Sequence, residues 1–100
     1  QILKINKQKG ILSFNVKEYY PLTKSISIGR SNNNEIVLKD PYISKNHLKI
    51  VEDEGVFFIE DLNSANGTYL NGERIMDVVK IKNGDRIRVG QVEFLFVDRE

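Results

Sequence analysis

The chain has 100 residues, 15 of them basic and 14 acidic, and no cysteine. That is the size of one domain, 1–100, large enough for a core without staples. Balanced charge excludes a generic nucleic-acid or acidic-membrane binder, and the lack of thiols excludes a disulfide scaffold or a thiolate metal site.

In chain order, Ile2 to Ile5 is a short strand candidate, followed by a polar turn through Lys9-Gly10. Leu12, Phe14 and Val16 alternate with polar residues, the pattern of a half-buried strand, and Tyr19-Tyr20-Pro21 is expected to break it. Ile26 and Ile28 alternate with serines and lead into Gly29-Arg30, which opens the polar loop Ser31-Asn32-Asn33-Asn34. Ile36 to Leu38 is a very short strand stopped by Lys39-Asp40-Pro41. His47 to Val51 and Val56 to Ile59 read as two strands joined by a tight hairpin turn at Asp53-Glu54-Gly55. The stretch Asp61 to Gly72 holds two Asn-Gly pairs, a turn signal, with Thr68, Tyr69 and Leu70 as a short strand between them. Arg74-Ile75 and Val79 to Ile81 follow. Asn83-Gly84-Asp85 turns into Ile87 and Val89, and Gly90-Gln91 turns into Val92, Phe94 and Phe96.

No window shows a helical period that beats alternation, and turn signals recur at all-β spacing. The expected fold is therefore all-β, about eleven short strands in two sheets packed face to face. The longest apolar runs, such as Val56 to Ile59, are far short of a membrane span, and no signal-peptide pattern appears. A cytoplasmic location is expected, or a cytoplasmic-facing part of a larger protein. The start at Gln1 suggests a piece cut from something longer.

Catalysis finds little support. His47 is the single histidine, so a metal cluster of the usual kind is not expected. Ser44 and His47 lie three apart, but a nucleophile–base pair needs a third orienting group; Asp40 and Asp61 are the plausible ones, and nothing in the spacing favours them. No catalytic residue, metal or cofactor is expected. Lys80 and Lys82 share a face of one strand, and Arg86 and Arg88 a face of its expected hairpin partner. That strip lacks aromatic groups to stack on bases, so nucleic acid is not an expected partner.

The informative constellation is a set of three strand-end loops. Gly29-Arg30 ends one strand, Ser44-Lys45-Asn46-His47 precedes another, and Asn63-Ser64-Ala65-Asn66-Gly67-Thr68 follows a third. In a sandwich such loops meet at one end. They would bring together a guanidinium, a hydroxyl, an ammonium and a carboxamide, donors matched to a phosphate.

These motifs resemble the forkhead-associated (FHA) domain. The matching runs are Gly29-Arg30-Ser31, Asn34 to Leu38, Ser44-x-x-His47, Asp61-Leu62-x-Ser64-x-Asn66-Gly67-Thr68, Leu70-Asn71-Gly72 and Gly84-Asp85-x-Ile87. The resemblance implies an eleven-stranded β-sandwich whose apical loops bind phosphothreonine peptides, and hence a threonine-phosphorylated protein or peptide as partner. By motif, Arg30 and Ser44 would contact phosphate, with Lys45 as a further cation where many members have Arg or Asn. Asn66 would bond the peptide main chain. Gly29, His47, Gly67 and Thr68 would shape the loops, His47 by hydrogen bonding across the apex. Ala65 stands where several members have Thr or Ser. The resemblance also implies a niche for the threonine methyl beside the Asn66 loop, which Ala65 and Thr68 are small enough to leave. The rival is a phosphate-independent assembly module. In either case the isolated domain is expected to be monomeric and not to insert into a membrane.

Overall fold

The computed structural model describes the backbone of residues 2–6, 11–14, 18–21 and 25–97, with side chains within 25–97. The described residues form twelve strands: β1 (Ile2–Asn6), β2 (Ile11–Phe14), β3 (Glu18–Pro21), β4 (Ser25–Gly29), β5 (Ile36–Val37), β6 (Leu48–Asp53), β7 (Val56–Asp61), β8 (Thr68–Leu70), β9 (Glu73–Arg74), β10 (Val79–Ile81), β11 (Arg86–Val89) and β12 (Val92–Val97). They contain no helix, so none long and apolar enough to cross a membrane. One sheet has the order β3-β2-β1-β12-β11-β8-β9 and the other β10-β7-β6-β4-β5. Pairing is antiparallel except at β1–β12 and β4–β5. The expected turn at Lys9-Gly10 and the end of the alternation at Val16 lie outside the described residues.

The alternating positions supply the core. Ile26, Ile28, Leu48, Ile50, Phe57, Ile59 and Ile81 from the smaller sheet meet Ile87, Val89, Phe94 and Phe96 from the larger, all buried. Burying each such side chain contributes about 1.5–3 kcal/mol. Phe57 and Phe96 meet edge to face between the sheets, with centroids 5.2 Å apart. The Glu54-Gly55 turn has φ of 52° and 82° between the paired residues Asp53 and Val56. Asn71-Gly72, at 52° and 88°, likewise joins β8 to β9. Both are two-residue hairpins whose twist matches their strands.

Two expectations fail here. Tyr19-Tyr20-Pro21 does not break the chain: Glu18–Pro21 is β3, paired with β2. It is the edge of its sheet, where proline's missing N–H is tolerated. The hairpin expected from the lysine-bearing strand to the arginine-bearing one is also absent. β10 pairs with β7 in one sheet, while β11 pairs with β8 and β12 in the other. The chain changes sheets at Lys82–Asp85, so the lysines and arginines are not cross-strand neighbours and the basic strip dissolves. Arg86 instead reaches Glu93 at 3.1 Å, and Arg88 lies over the Tyr69 ring at 4.1 Å.

The buried Asp85 carboxylate holds this sheet change. It accepts the Lys82 N–H at 2.8 Å and the Asn71 Nδ2 at 3.0 Å, while the Phe96 N–H donates to the Asp85 carbonyl at 2.8 Å. Asp85→Ala keeps the carbonyl bond to Phe96 but strands the Lys82 N–H and the Asn71 Nδ2, each at a cost of about 1–3 kcal/mol. Urea unfolding is expected to show at least that loss for Asp85→Ala, and a near-wild-type midpoint would refute the role.

Candidate functional site

Register carries the loop ends to one apex. Ile28 pairs with Leu48, and Leu48 with Asp61, so the end of β4, the start of β6 and the end of β7 lie side by side. In the other sheet the end of β11 pairs with the start of β8 through Val89 and Thr68. The loops that follow or precede these ends, 30–35, 38–47 and 62–67, rise from the same side.

His47, fully buried, ties them together. Its Nδ1 accepts the Ser44 main-chain N–H at 3.0 Å, so its Nε2 carries the hydrogen and donates to the Gly67 carbonyl at 2.8 Å. Its own N–H donates to the Ile28 carbonyl, and its carbonyl accepts the Leu62 N–H. One residue thus joins the strand end before Arg30, the Ser44 turn and the Asn66 loop.

The Arg30 loop lies directly on the Lys45 turn. The Arg30 N–H donates to the Ser44 carbonyl at 2.9 Å, and the Ser31 N–H to the Lys45 carbonyl at 3.1 Å. A Cβ on Gly29 would run into that Lys45 carbonyl and stand 2.7 Å from Asn34 Nδ2, so the approach requires glycine. Buried Asn34 bridges the same gap, donating to the Ser31 carbonyl at 2.8 Å and the Lys45 carbonyl at 2.7 Å. The half-buried Arg30 side chain is aimed by its Nε, which donates to the Ile43 carbonyl at 3.0 Å. Its two terminal nitrogens make no hydrogen bond among the described residues.

Arg30 and the exposed Lys45 line an open depression of about 680 Å³ with Ser31, Asn32, Lys39 and Pro41. Ser44 stands at the neighbouring turn. Its Oγ accepts the Ala65 N–H at 3.0 Å, which leaves its hydroxyl hydrogen to donate. Asn66, exposed, donates Nδ2 to the Tyr42 carbonyl at 2.8 Å, which orients the carboxamide and leaves Oδ1 open.

The 62–67 loop is built on Asp61. Its Oδ1 accepts Ser64 Oγ at 2.6 Å and Thr68 Oγ1 at 2.7 Å, and its Oδ2 accepts the Ser64 N–H at 2.9 Å. Ser64 Oγ in turn accepts the Gly67 N–H at 2.9 Å. Burial pushes the Asp61 carboxyl up, but the donors from Ser64 and Thr68 outweigh it and hold the group below its ordinary value of 3.8. Gly67 has φ of 89°, and a Cβ there would meet Arg74 Nε at 2.6 Å. The left-handed asparagine of the loop is Asn63, at 61°, rather than Asn66. Thr68 is completely buried, with its hydroxyl on Asp61, and Ala65 is exposed.

Sequence reasoning carried Asn34, Asp61 and Ser64 within the matching motifs but gave none of them, nor Lys39 or Tyr42, a part in ligand binding. Asp61 and Ser64 carry a local signal, an acceptor three residues before a hydroxyl. Lys39 carries none. It reaches the site because β5 runs parallel to β4, and its Nζ lies 3.0 Å from the Arg30 carbonyl.

Residues 26–90 match the family model described as FHA domain. EmbR, a transcriptional regulatory protein of Mycobacterium tuberculosis, is 40% identical over 78 residues, 77% of this chain and 20% of that protein. The chain therefore spans about a fifth of this curated relative's length. The solved structure of M. tuberculosis EmbR with a low-affinity phosphopeptide superposes with a TM-score of 0.75 at 37% identity, covering 78% of this chain and 21% of that one. The FHA domain of the CT664 protein of Chlamydia trachomatis gives 0.79 at 30% identity, covering 90% and 94%. A chain solved in a structural and functional analysis of phosphothreonine-dependent FHA domain interactions gives 0.72 at 35% identity, covering 79% and 82%.

The lowered Asp61 carboxyl makes the loop's stability depend on pH. A depressed group contributes stability that is present above its unfolded value, near 3.8, and lost as pH falls through its folded value. Asp61→Asn keeps one acceptor and sets an NH2 against the donors. It is expected to cost about 1–2 kcal/mol at neutral pH, the low end because the carboxylate is partly exposed. In thermal melts the gap to wild type is expected to close as pH falls below about 3.8; a gap constant in pH would contradict the assignment.

Proposed function

The chain belongs to the FHA domain family, and from that membership we propose that it is a phosphothreonine-peptide binding module mediating phosphorylation-dependent protein–protein interaction. The observation that carries this reading is the state of Arg30. Its Nε is spent on the Ile43 carbonyl, while its terminal nitrogens remain for a ligand in a depression shared with Lys45. A phosphate carries about −1.5 to −2 charges and three strong acceptor oxygens. The guanidinium fork meets two of those oxygens and the ammonium supplies a second charge. The Ser44 hydroxyl donates a further bond. Asn66, held on the Tyr42 carbonyl, offers Oδ1 to a main-chain N–H of the peptide.

In this reading residues 1–100 act as one domain, in the cytoplasm or on the cytoplasmic side of a larger protein, and bind a threonine-phosphorylated partner. In this reading the domain binds rather than catalyses. Ser44 Oγ accepts the Ala65 N–H, and both ring nitrogens of His47 are bonded to main-chain groups, so the two side chains do not form a nucleophile–base pair. The rival, a phosphate-independent assembly module, has one observation in its favour: Met76 and Val78 are 81% and 55% exposed.

Arg30→Ala is expected to weaken phosphopeptide binding by roughly 10- to 150-fold or more while leaving the fold intact, and Arg30→Lys to restore little. Ser44→Ala should narrow the gap between phosphorylated and plain peptide, whereas Asn66→Ala should weaken main-chain capture whatever residue follows. Calorimetry with an unchanged melting temperature checks all three. Binding by Arg30→Ala within about threefold of wild type would remove Arg30 as the phosphate ligand.

A second titration compares peptides identical but for phosphothreonine, phosphoserine or glutamate. One buried methyl adds about 0.8 kcal/mol, or about fourfold, for phosphothreonine over phosphoserine. Glutamate, with one charge and two oxygens, cannot satisfy Arg30, Ser44 and Lys45 together, and no binding is expected. Comparable binding of the glutamate peptide would leave the assembly module standing.

A further inference from the structure

The depression beside Arg30 holds more positive charge and more space than one phosphate uses. Three cations line it, Arg30, Lys39 and Lys45, and no carboxylate does. Among the described residues none of the three forms an ion pair; the pairs found there engage Lys49, Lys82 and Arg86. Asp40, next along the chain from Lys39, turns away to accept the Tyr42 N–H at 2.8 Å. Arg30, Ser44 and Lys45 already offer enough donors for the three oxygens of a phosphate, and their two cations match its charge of about −1.5 to −2. A phosphate has the bulk of only a few waters, each about 30 Å³ in the liquid, against about 680 Å³ here.

Lys39 is the surplus group, and it is not loose. Its Nζ donates to the Arg30 carbonyl at 3.0 Å and to Asn32 Oδ1 at 2.8 Å. Both acceptors are neutral, so they orient the ammonium without cancelling its charge, and one of its three N–H donors remains. Its bond to the Arg30 main chain and its place in the same depression keep the charge on the side of the site where the guanidinium meets phosphate. An extended peptide advances about 3.3–3.6 Å per residue, so the two residues on either side of the phosphothreonine run about 7 Å along this depression.

We propose that Lys39 is a specificity-determining residue that makes this site select phosphothreonines with an aspartate or glutamate within two residues of them in the chain. The proposal rests on the phosphothreonine reading of the site. An exposed ion pair of this kind adds about two- to fivefold in affinity and is screened as salt rises. The bland alternative is that Lys39 only buttresses the Arg30 loop. Its removal would then weaken acidic and neutral peptides alike.

The test is calorimetry with phosphothreonine peptides carrying Glu or Gln at each of the positions from two before to two after the phosphothreonine, with an unphosphorylated control. The quantity read is the ratio of the Gln to the Glu dissociation constant. For wild type it is expected at about 2–5 for at least one position at low salt, falling toward one at about 0.5 M salt. Lys39→Met should bring that ratio to one, and Lys39→Arg should retain it. Ratios of one at every position in wild type would overturn the proposal, and so would a ratio that Lys39→Met leaves unchanged. The wild-type ratios and their salt dependence decide the matter if neither variant folds. Equal binding of phosphorylated and unphosphorylated peptides would instead sink the phosphothreonine reading itself, whereas phosphate-dependent binding with flat ratios sinks only the role of Lys39.

Discussion

The apex of this domain depends on one buried imidazole. His47 has no exposed surface, and both ring nitrogens are bonded to main-chain groups: Nδ1 to the Ser44 N–H in its own loop and Nε2 to the Gly67 carbonyl in the 62–67 loop. A polar ring buried this deeply is tolerated only because both nitrogens have partners. The arrangement also demands one tautomer, with Nδ1 accepting and Nε2 donating. Neither a carboxamide nor an aliphatic side chain of similar size reproduces an acceptor and a donor at opposite ends of a rigid ring. The loop carrying Ser44 and the loop carrying Asn66 are therefore held at a fixed separation that neither could set alone.

From that fixed point the ligand-facing groups are aimed by carbonyls rather than by carboxylates. Ile43 takes the Arg30 Nε, the Arg30 carbonyl takes Lys39, and Tyr42 takes Asn66. Neutral acceptors orient a cation and leave its charge for something else, whereas a carboxylate would already have neutralised it. The carboxylate on which the 62–67 loop is built, Asp61, is spent on hydroxyls and a main-chain N–H. The apex thus presents uncompensated positive charge on a backbone held by internal hydrogen bonds. Such preorganisation lowers the ordering cost of binding an anionic peptide.

The two sheets were legible in the sequence because period-two alternation writes the buried face directly, as at Ile26 and Ile28, Ile87 and Val89, or Phe94 and Phe96. The hairpins were legible at Glu54-Gly55 and Asn71-Gly72, where local chemistry demands positive φ. The sheet change after Ile81 was not. Asn83-Gly84-Asp85 has the composition of a hairpin turn, and long-range bonds such as those of Asp85 to Asn71 and Phe96 direct the chain to the other sheet. Arg30, Ser44, Lys45 and Asn66 stood out as strand-end residues of the right chemistry. Lys39 did not, because a lysine after a two-residue strand has no periodicity or spacing to mark it. Its position follows from the parallel β4–β5 pair, which sequence alone does not reveal.

The central claim is that the apical loops, and no other surface, engage phosphate on a peptide. Its most direct measurement is a nuclear magnetic resonance titration of the isotope-labelled chain with a phosphothreonine peptide and its unphosphorylated twin. The phosphorylated peptide is expected to shift the Arg30 Nε–H and the main-chain amides of Ser44, Lys45 and Asn66 most, while the plain peptide at the same concentration leaves them in place. Shifts centred on Met76 and Val78, or equal shifts with both peptides, would contradict it.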